Sequence, residues 1–191
     1  MAVQAARAAT QLREAARDMA RVARRRAKEV TGPTGGCVSA EGETPGAWRN
    51  QGPGIAGLWP LKDYLELEPH ASAVPRARRS VQQALQAWGL AGASDAAELV
   101  ASELVTNSIR ASSGLETNAP VRLWLLSDMR DLWILVWDSS PQPPVRLGTA
   151  DDAQNGRGLL LVEALSTRWS WIRTQELGGK VVWAEIRAEP Q

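Results

Sequence analysis

The sequence predicts an α+β two-layer sandwich: a mixed, mostly antiparallel sheet with its helices gathered on one face. Three observations carry that expectation. From about Leu58 onward, segments of helical and of strand periodicity follow one another as strand, helix, helix, strand, strand, helix, strand, strand. Short turn signals, at Ser127–Asp131 and at Gly178-Gly179, join neighbouring strand segments as hairpins. The chain has 191 residues, 44% hydrophobic and 23% charged, enough for one ordinary domain with a packed core and an appendage.

The elements follow in order. A short strand is expected near Tyr64–Glu68. Pro75 stands where a helix can begin, and Val81, Leu85 and Trp88 recur at helical spacing before Gly89 ends it. Ser94 is a plausible N-cap for a second helix running to Ser112, with its stripe at Leu99, Val100, Leu104 and Ile109. Strands are expected over Val121–Leu126 and Leu132–Asp138. The 17 residues from Ser139 to Asn155 carry three prolines and little apolar content, a length that marks a functional lid or a disordered segment. A third helix starts near Gly158, and strands over Trp169–Arg173 and Val181–Arg187 complete the domain, taken as residues 57–191.

Ahead of it lie two segments of different character. Residues 1–30 carry eight basic and three acidic side chains, with Leu12, Ala15, Ala16, Met19 and Val22 at helical spacing. A basic helix that touches a partner and a solvated, poorly packed extension both fit this pattern. Residues 31–56 hold seven Gly and three Pro and read as a linker. The whole chain has a formal net charge of only +1, so it is not an electrostatic nucleic-acid binder as a whole. Cys37 is the only cysteine and His70 the only histidine, which removes an internal disulfide, zinc centres and Ser-His-Asp or Cys-His chemistry. No apolar run reaches the ~18 residues of a membrane span, and a cytoplasmic location is expected.

Strand alternation sorts the sheet side chains onto two faces. Val121, Leu123, Leu125, Leu132, Ile134, Val136, Val182, Ala184 and Ile186 make an aliphatic face suited to helices. Trp124, Trp133, Trp137, Trp169, Trp171 and Trp183 are expected together on the other. So much aromatic surface suggests an interface, a homodimer being one form of it. The other readings are that the N-terminal segment covers it, or that charged residues break the patch.

Four features carry chemistry. In AAELVASELVTNSIRAS (96–112), Glu103 and Asn107 lie one turn apart on one helical face beside an apolar stripe. A carboxylate there can take a proton from a hydroxyl or water, and an amide oxygen can complete the shell of a phosphate-borne Mg²⁺. Spacing alone is equally satisfied by two solvated residues. Asp138 closes an apolar strand in VWDSSPQPP, where it can accept from the amino group of a buried adenine or simply open a turn. In NGRGLLLVEAL (155–165), Gly156 and Gly158 allow close backbone approach, and the helix start offers N–H groups to an anion. Arg157 can add a charged contact to phosphate. Finally, LGGKVVWAEI (177–186) is a glycine hairpin entering a strand.

The order and spacing of these four features resemble the GHKL (Bergerat-fold) ATP-binding superfamily over roughly residues 60–187. The likeness is greatest to bacterial anti-sigma-factor serine kinases and related regulatory ATP-binding proteins. The resemblance implies that Glu103 is the general base and Asn107 the Mg²⁺ ligand, and that Asp138 holds the adenine. Gly156, Arg157, Gly158 and Leu159 would border the phosphate lid, and Gly179 and Lys180 form the last glycine element. Ser140 stands where many members have Gly, Ala111 where a His is common and Lys180 where Thr is frequent. Lys180 is expected to offset the lost hydroxyl by meeting phosphate charge.

The implied cofactors are ATP and Mg²⁺, and the implied partners a sigma factor or its antagonist protein. The leading function is that of a regulatory protein serine kinase. An ATP-gated binding module without phosphotransfer is the main alternative. An ATPase directed at water and a nucleic-acid binder acting through the basic N-terminus are further ones.

Overall fold

The computed structural model describes residues 59–113, 115, 119–144, 158–174 and 178–188. Strand β1 (Leu61–Leu67) leads into helix α1 (Ala73–Trp88), a 3-10 turn (Ala91–Ala93) and helix α2 (Ser94–Ser112). The hairpin β2 (Val121–Ser127) and β3 (Asp131–Asp138) follows, then α3 (Gly158–Leu165), β4 (Arg168–Arg173) and β5 (Lys180–Arg187). The strands form one sheet in the order β1-β2-β3-β5-β4.

Every strand pairing in that sheet is antiparallel, which corrects the mixed sheet expected. The reason is topological. Strands β3 and β4 run in the same direction, but β5 lies between them, so they never pair. Strand β1 is longer than its sequence signal because it is an edge strand. Its exposure alternates, and Lys62, Asp63 and Glu66 dilute the apolar pattern as edges generally require.

The main core lies between the helices and one sheet face. Helix α1 contributes Ala73, Ala77, Val81, Ala84 and Leu85, and the nine aliphatic residues assigned to the helix-facing side all join this cluster. Gly89 ends α1 in the left-handed region at φ 72°, and the Leu90 N–H then reaches back to the Leu85 carbonyl at 2.8 Å.

Helix α2 departs from expectation in two respects. Ser94 is its first residue rather than its cap, and its buried hydroxyl makes no hydrogen bond. The stripe is Ala97, Val100, Ala101, Leu104, Val105, Ser108 and Ser112, while Leu99 is 41% exposed. Small side chains on this face let the helix pack against both α1 and the sheet, a choice that ranking residues by hydrophobicity misses. The Arg78 Nε donates to the Ser102 hydroxyl at 2.6 Å, tying α1 to α2.

The opposite face of the sheet is also corrected. Trp124, Trp133, Trp137 and Trp183 do lie there, joined by Trp59, Leu126, Leu135 and Val181. Trp169 and Trp171 do not: they pair across β5 with Ala184 and Val182 and pack on the helix side. The β4–β5 register sets that parity, and strand periodicity cannot reveal it. Nor is the face a wet aromatic patch. Trp124, Trp137 and Trp183 are 4%, 4% and 0% exposed within the single chain. Trp59 meets Trp133 edge-on at 5.7 Å, and the Arg122 guanidinium lies 4.7 Å over the Trp137 ring.

Among the described residues, no helix is long and apolar enough to cross a membrane. The expected basic segment 1–30 and linker 31–56 lie outside the described residues, as do lid residues 145–157.

Candidate functional site

The site begins as a continuation of the core pattern. Leu132, Ile134 and Val136 point from β3 toward the helices, so Asp138, next in the same alternation, must follow them. Its antiparallel partner is Lys180, the first residue of β5, which therefore shares that face. The two side chains, 0% and 3% exposed, form an ion pair with Nζ 2.7 Å from Oδ1. The Ser140 backbone N–H also donates to Oδ1 at 3.0 Å, and Nζ is 3.4 Å from the Ser140 carbonyl.

Asp138 thus spends one carboxylate oxygen on two internal donors. The other, Oδ2, is buried and has no hydrogen-bond partner. The Ser108 hydroxyl sits close enough to favour the charged carboxylate without closing a hydrogen bond of normal geometry. Burial raises the Asp138 pKa above the usual carboxylate value, and the neighbouring Lys180 charge opposes that rise only in part.

Asp138 and Lys180 form the floor of a cavity of about 760 Å³. Helix α2 supplies Leu104, Asn107, Ser108 and Ala111, the turn after β3 supplies Ser140 to Pro144, and α3 supplies Leu159. That volume lies within the range of small-molecule sites, and a mostly apolar lining with a few convergent polar groups is their usual construction.

Glu103 is not among the lining residues. It stands one turn before Asn107, half-buried, against the first residue of α3. A Cβ on Gly158 would overlap the Glu103 carboxylate and come within 3.6 Å of the Asn107 amide nitrogen. Glycine therefore lets the α3 N-terminus close onto this pair. At the other end, Gly179 (φ 77°) lies so near the Asp138 carbonyl and Ser139 that a Cβ there would overlap backbone. The Trp137 indole N–H donates to the Thr174 hydroxyl and the Gly178 carbonyl, each at 3.2 Å, holding this glycine hairpin around the end of β3.

Of the residues singled out in the sequence, Asn107, Asp138, Ser140, Leu159 and Lys180 line the cavity, while Gly158 and Gly179 adjoin lining residues without lining it themselves. Gly156 and Arg157 lie outside the described residues. Lys180 departs from its expected place: it is buried against Asp138 rather than presented to a phosphate lid, because its register partner is the strand-end acid. Ser140 needs no glycine freedom, since Met129 is the only described non-glycine residue with positive φ. Sequence reasoning missed Ser108, whose signal was its position four residues after Leu104 on the buried stripe.

The residues present fit a purine nucleotide. An unpartnered buried acceptor belongs to a residue that lines a cavity of nucleotide size. No cluster of three or more His, Cys, Asp or Glu residues among those described can cage a metal alone, so a divalent ion at Asn107 would bring further ligands on the nucleotide.

Two comparisons with known proteins return matches. A model of the histidine kinase-like ATPase domain matches residues 67–186. Among solved structures, the chain is similar to the RsbU and RsbW domains of Rv1364c from Mycobacterium tuberculosis, with 17% identity and a TM-score of 0.49. That match covers 66% of this chain and 32% of the solved one, so the chain spans about a third of that structure's length. A search of curated proteins finds no match. The family model accounts for well over half of the chain, including both strands and both helices that frame the cavity; the chain belongs to the histidine kinase-like ATPase domain family.

Proposed function

We propose that this protein is a cytoplasmic regulator of the anti-sigma type that binds ATP with Mg²⁺ in the Asp138 cavity and phosphorylates a serine on an antagonist protein. The observation that carries the nucleotide assignment is the unpartnered Asp138 Oδ2, a buried acceptor suited to the exocyclic amino group of adenine. Bound ATP would supply a γ-phosphoryl group whose transfer asks chiefly for positioning and electrostatic stabilisation.

The chain's own residues divide that work. Asp138, fixed by Lys180 and the Ser140 N–H, orients the base. Asn107 faces the cavity and would hold Mg²⁺. Glu103, beside the first turn of α3, would take the proton of a serine hydroxyl brought to that edge. Gly156 and Arg157 complete the proposed phosphate lid, together with Gly158 and Leu159. The partners proposed are a sigma factor and its antagonist. Trp124, Trp137 and Trp183 are buried within the single chain, so a homodimer through the tryptophan face would use the half-buried Trp133 beside them.

A second reading, an ATP-gated binding module without phosphotransfer, is favoured by one observation: Glu103 stands outside the cavity lining. The deciding experiment is Glu103→Ala. In a serine kinase it leaves Mg-ATP affinity within a few-fold of wild type and abolishes transfer of radiolabelled phosphate to the partner serine. Transfer that persists in this variant removes Glu103 as the base.

A further inference from the structure

The Asp138–Lys180 pair has a consequence for which base the cavity accepts, and it rests on the nucleotide reading above. A lone buried carboxylate selects adenine because it can only accept. It meets the N6 amino group favourably and would repel the O6 carbonyl of a 6-oxopurine. Here the carboxylate does not stand alone. An ammonium group lies 2.7 Å from it, at the same end of the same cavity and equally buried. Lysine carries three N–H donors, and two directions are taken by Asp138 Oδ1 and the Ser140 carbonyl. The third remains, beside the unpartnered Asp138 Oδ2.

The floor of the cavity therefore presents one acceptor and one charged donor side by side. Adenine offers a donor at N6 and an acceptor at N1. A 6-oxopurine offers the same two functions in reverse order, an acceptor at O6 and a donor at N1. We propose that Lys180 makes this cavity a site for 6-oxopurine nucleoside triphosphates as well as for ATP, its ammonium group donating to O6 while Asp138 Oδ2 accepts from N1–H. In the adenine mode Asp138 Oδ2 accepts from N6 alone; in the 6-oxopurine mode the ring is shifted along its edge by one position, so that N1–H takes the place of N6–H and O6 meets the ammonium, and a cavity of about 760 Å³ has room for both. Lys180 is thus a specificity-determining residue: with a hydroxyl in its place, O6 would face the carboxylate without a cation to offset it.

The test uses the full chain and calorimetry with Mg²⁺ and three probes: ATP, inosine triphosphate, and purine riboside triphosphate, which has no substituent at C6. A charge-assisted hydrogen bond to O6 makes the inosine nucleotide bind at least tenfold more tightly than the unsubstituted one, and within about tenfold of ATP. In Lys180→Met that preference for inosine over the unsubstituted base disappears, with a thermal melt confirming that the variant is folded.

An inosine nucleotide that binds no better than the unsubstituted one, while ATP binds well, overturns this inference and leaves the ATP site standing. That arm needs only the wild-type chain, so it decides the matter even where the variant fails to fold. Absence of binding by all three overturns the nucleotide site itself.

Discussion

Asp138 is the residue on which the site turns, and its behaviour follows from competing terms. Desolvation favours the neutral acid, while Lys180 and the Ser140 N–H favour the carboxylate. The net shift is upward, so Asp138 gains its proton at a higher pH than a free aspartate does. For stability the sign is therefore unfavourable to ionisation: this group's contribution is fully present below the unfolded value and is lost as pH rises through the folded one. For binding the sign reverses, because Oδ2 accepts best when the carboxyl is charged. Mg-ATP affinity is expected to fall on acidification at a pH above the ordinary aspartate range. Titration calorimetry from pH 8 downward checks this, and affinity that holds until the ordinary range contradicts it. Asp138→Asn weakens Mg-ATP binding at least tenfold, since an amide must both replace a charged acceptor and sit beside an unneutralised Lys180. Equal affinity in that variant would place the base elsewhere.

At the scale of elements, two glycines make opposite predictions. Gly179 starts the approach to β5 at positive φ, with backbone where a Cβ would go. Gly179→Ala is expected to cost roughly 2–4 kcal/mol through left-handed strain and displacement of the Asp138 backbone, read as a lower denaturant midpoint at unchanged slope. Gly158 opens α3, and the atom in the way of its Cβ is the mobile end of the Glu103 side chain. Gly158→Ala should therefore leave stability unchanged or raise it by up to about 1 kcal/mol, the helix propensity difference. It should nevertheless depress any phosphotransfer through displaced Glu103. A melting temperature that drops by many degrees would show that the helix, not the carboxylate, yields. These two outcomes separate a glycine kept for backbone shape from one kept for room beside a functional group.

Across the described residues, the three central strands β2, β3 and β5 are buried on both faces of the sheet. The helix side holds the aliphatic core, and the other holds a second cluster centred on Trp183, which is 0% exposed. Trp183→Ala is expected to destabilise the fold by about 3–5 kcal/mol, as deletion of a buried indole generally does, and chemical denaturation measures it. A cost below about 1 kcal/mol would mean that this cluster is peripheral. The nucleotide cavity opens where the helix-side core ends, bounded by α2, the ends of β3 and β5, and the start of α3. Ligand and core thus share one packing layer.

Much of this was legible in the chain itself, for an identifiable reason. Periodicity depends on local geometry alone, so the strand ending in Asp138, the helix carrying Glu103 and Asn107 and the glycine turn before Lys180 could each be located from residue spacing. The identity of the aliphatic face followed too, because alternation along one strand needs no knowledge of its neighbour. What pairing decides could not be read. The inward turn of Trp169 and Trp171, the fully antiparallel sheet, and the meeting of Lys180 with Asp138 all depend on register between strands, which for Lys180 and Asp138 are far apart in sequence. The burial of Ala101, Val105 and Ser108 with the expected Val100 and Leu104, and the exposure of Leu99, depend on which flank of α2 meets a partner. Local spacing determined which chemical groups this protein carries and on which elements. Only the tertiary structure decided which of them touch, because contact between distant segments is set by packing, and packing has no short-range signature.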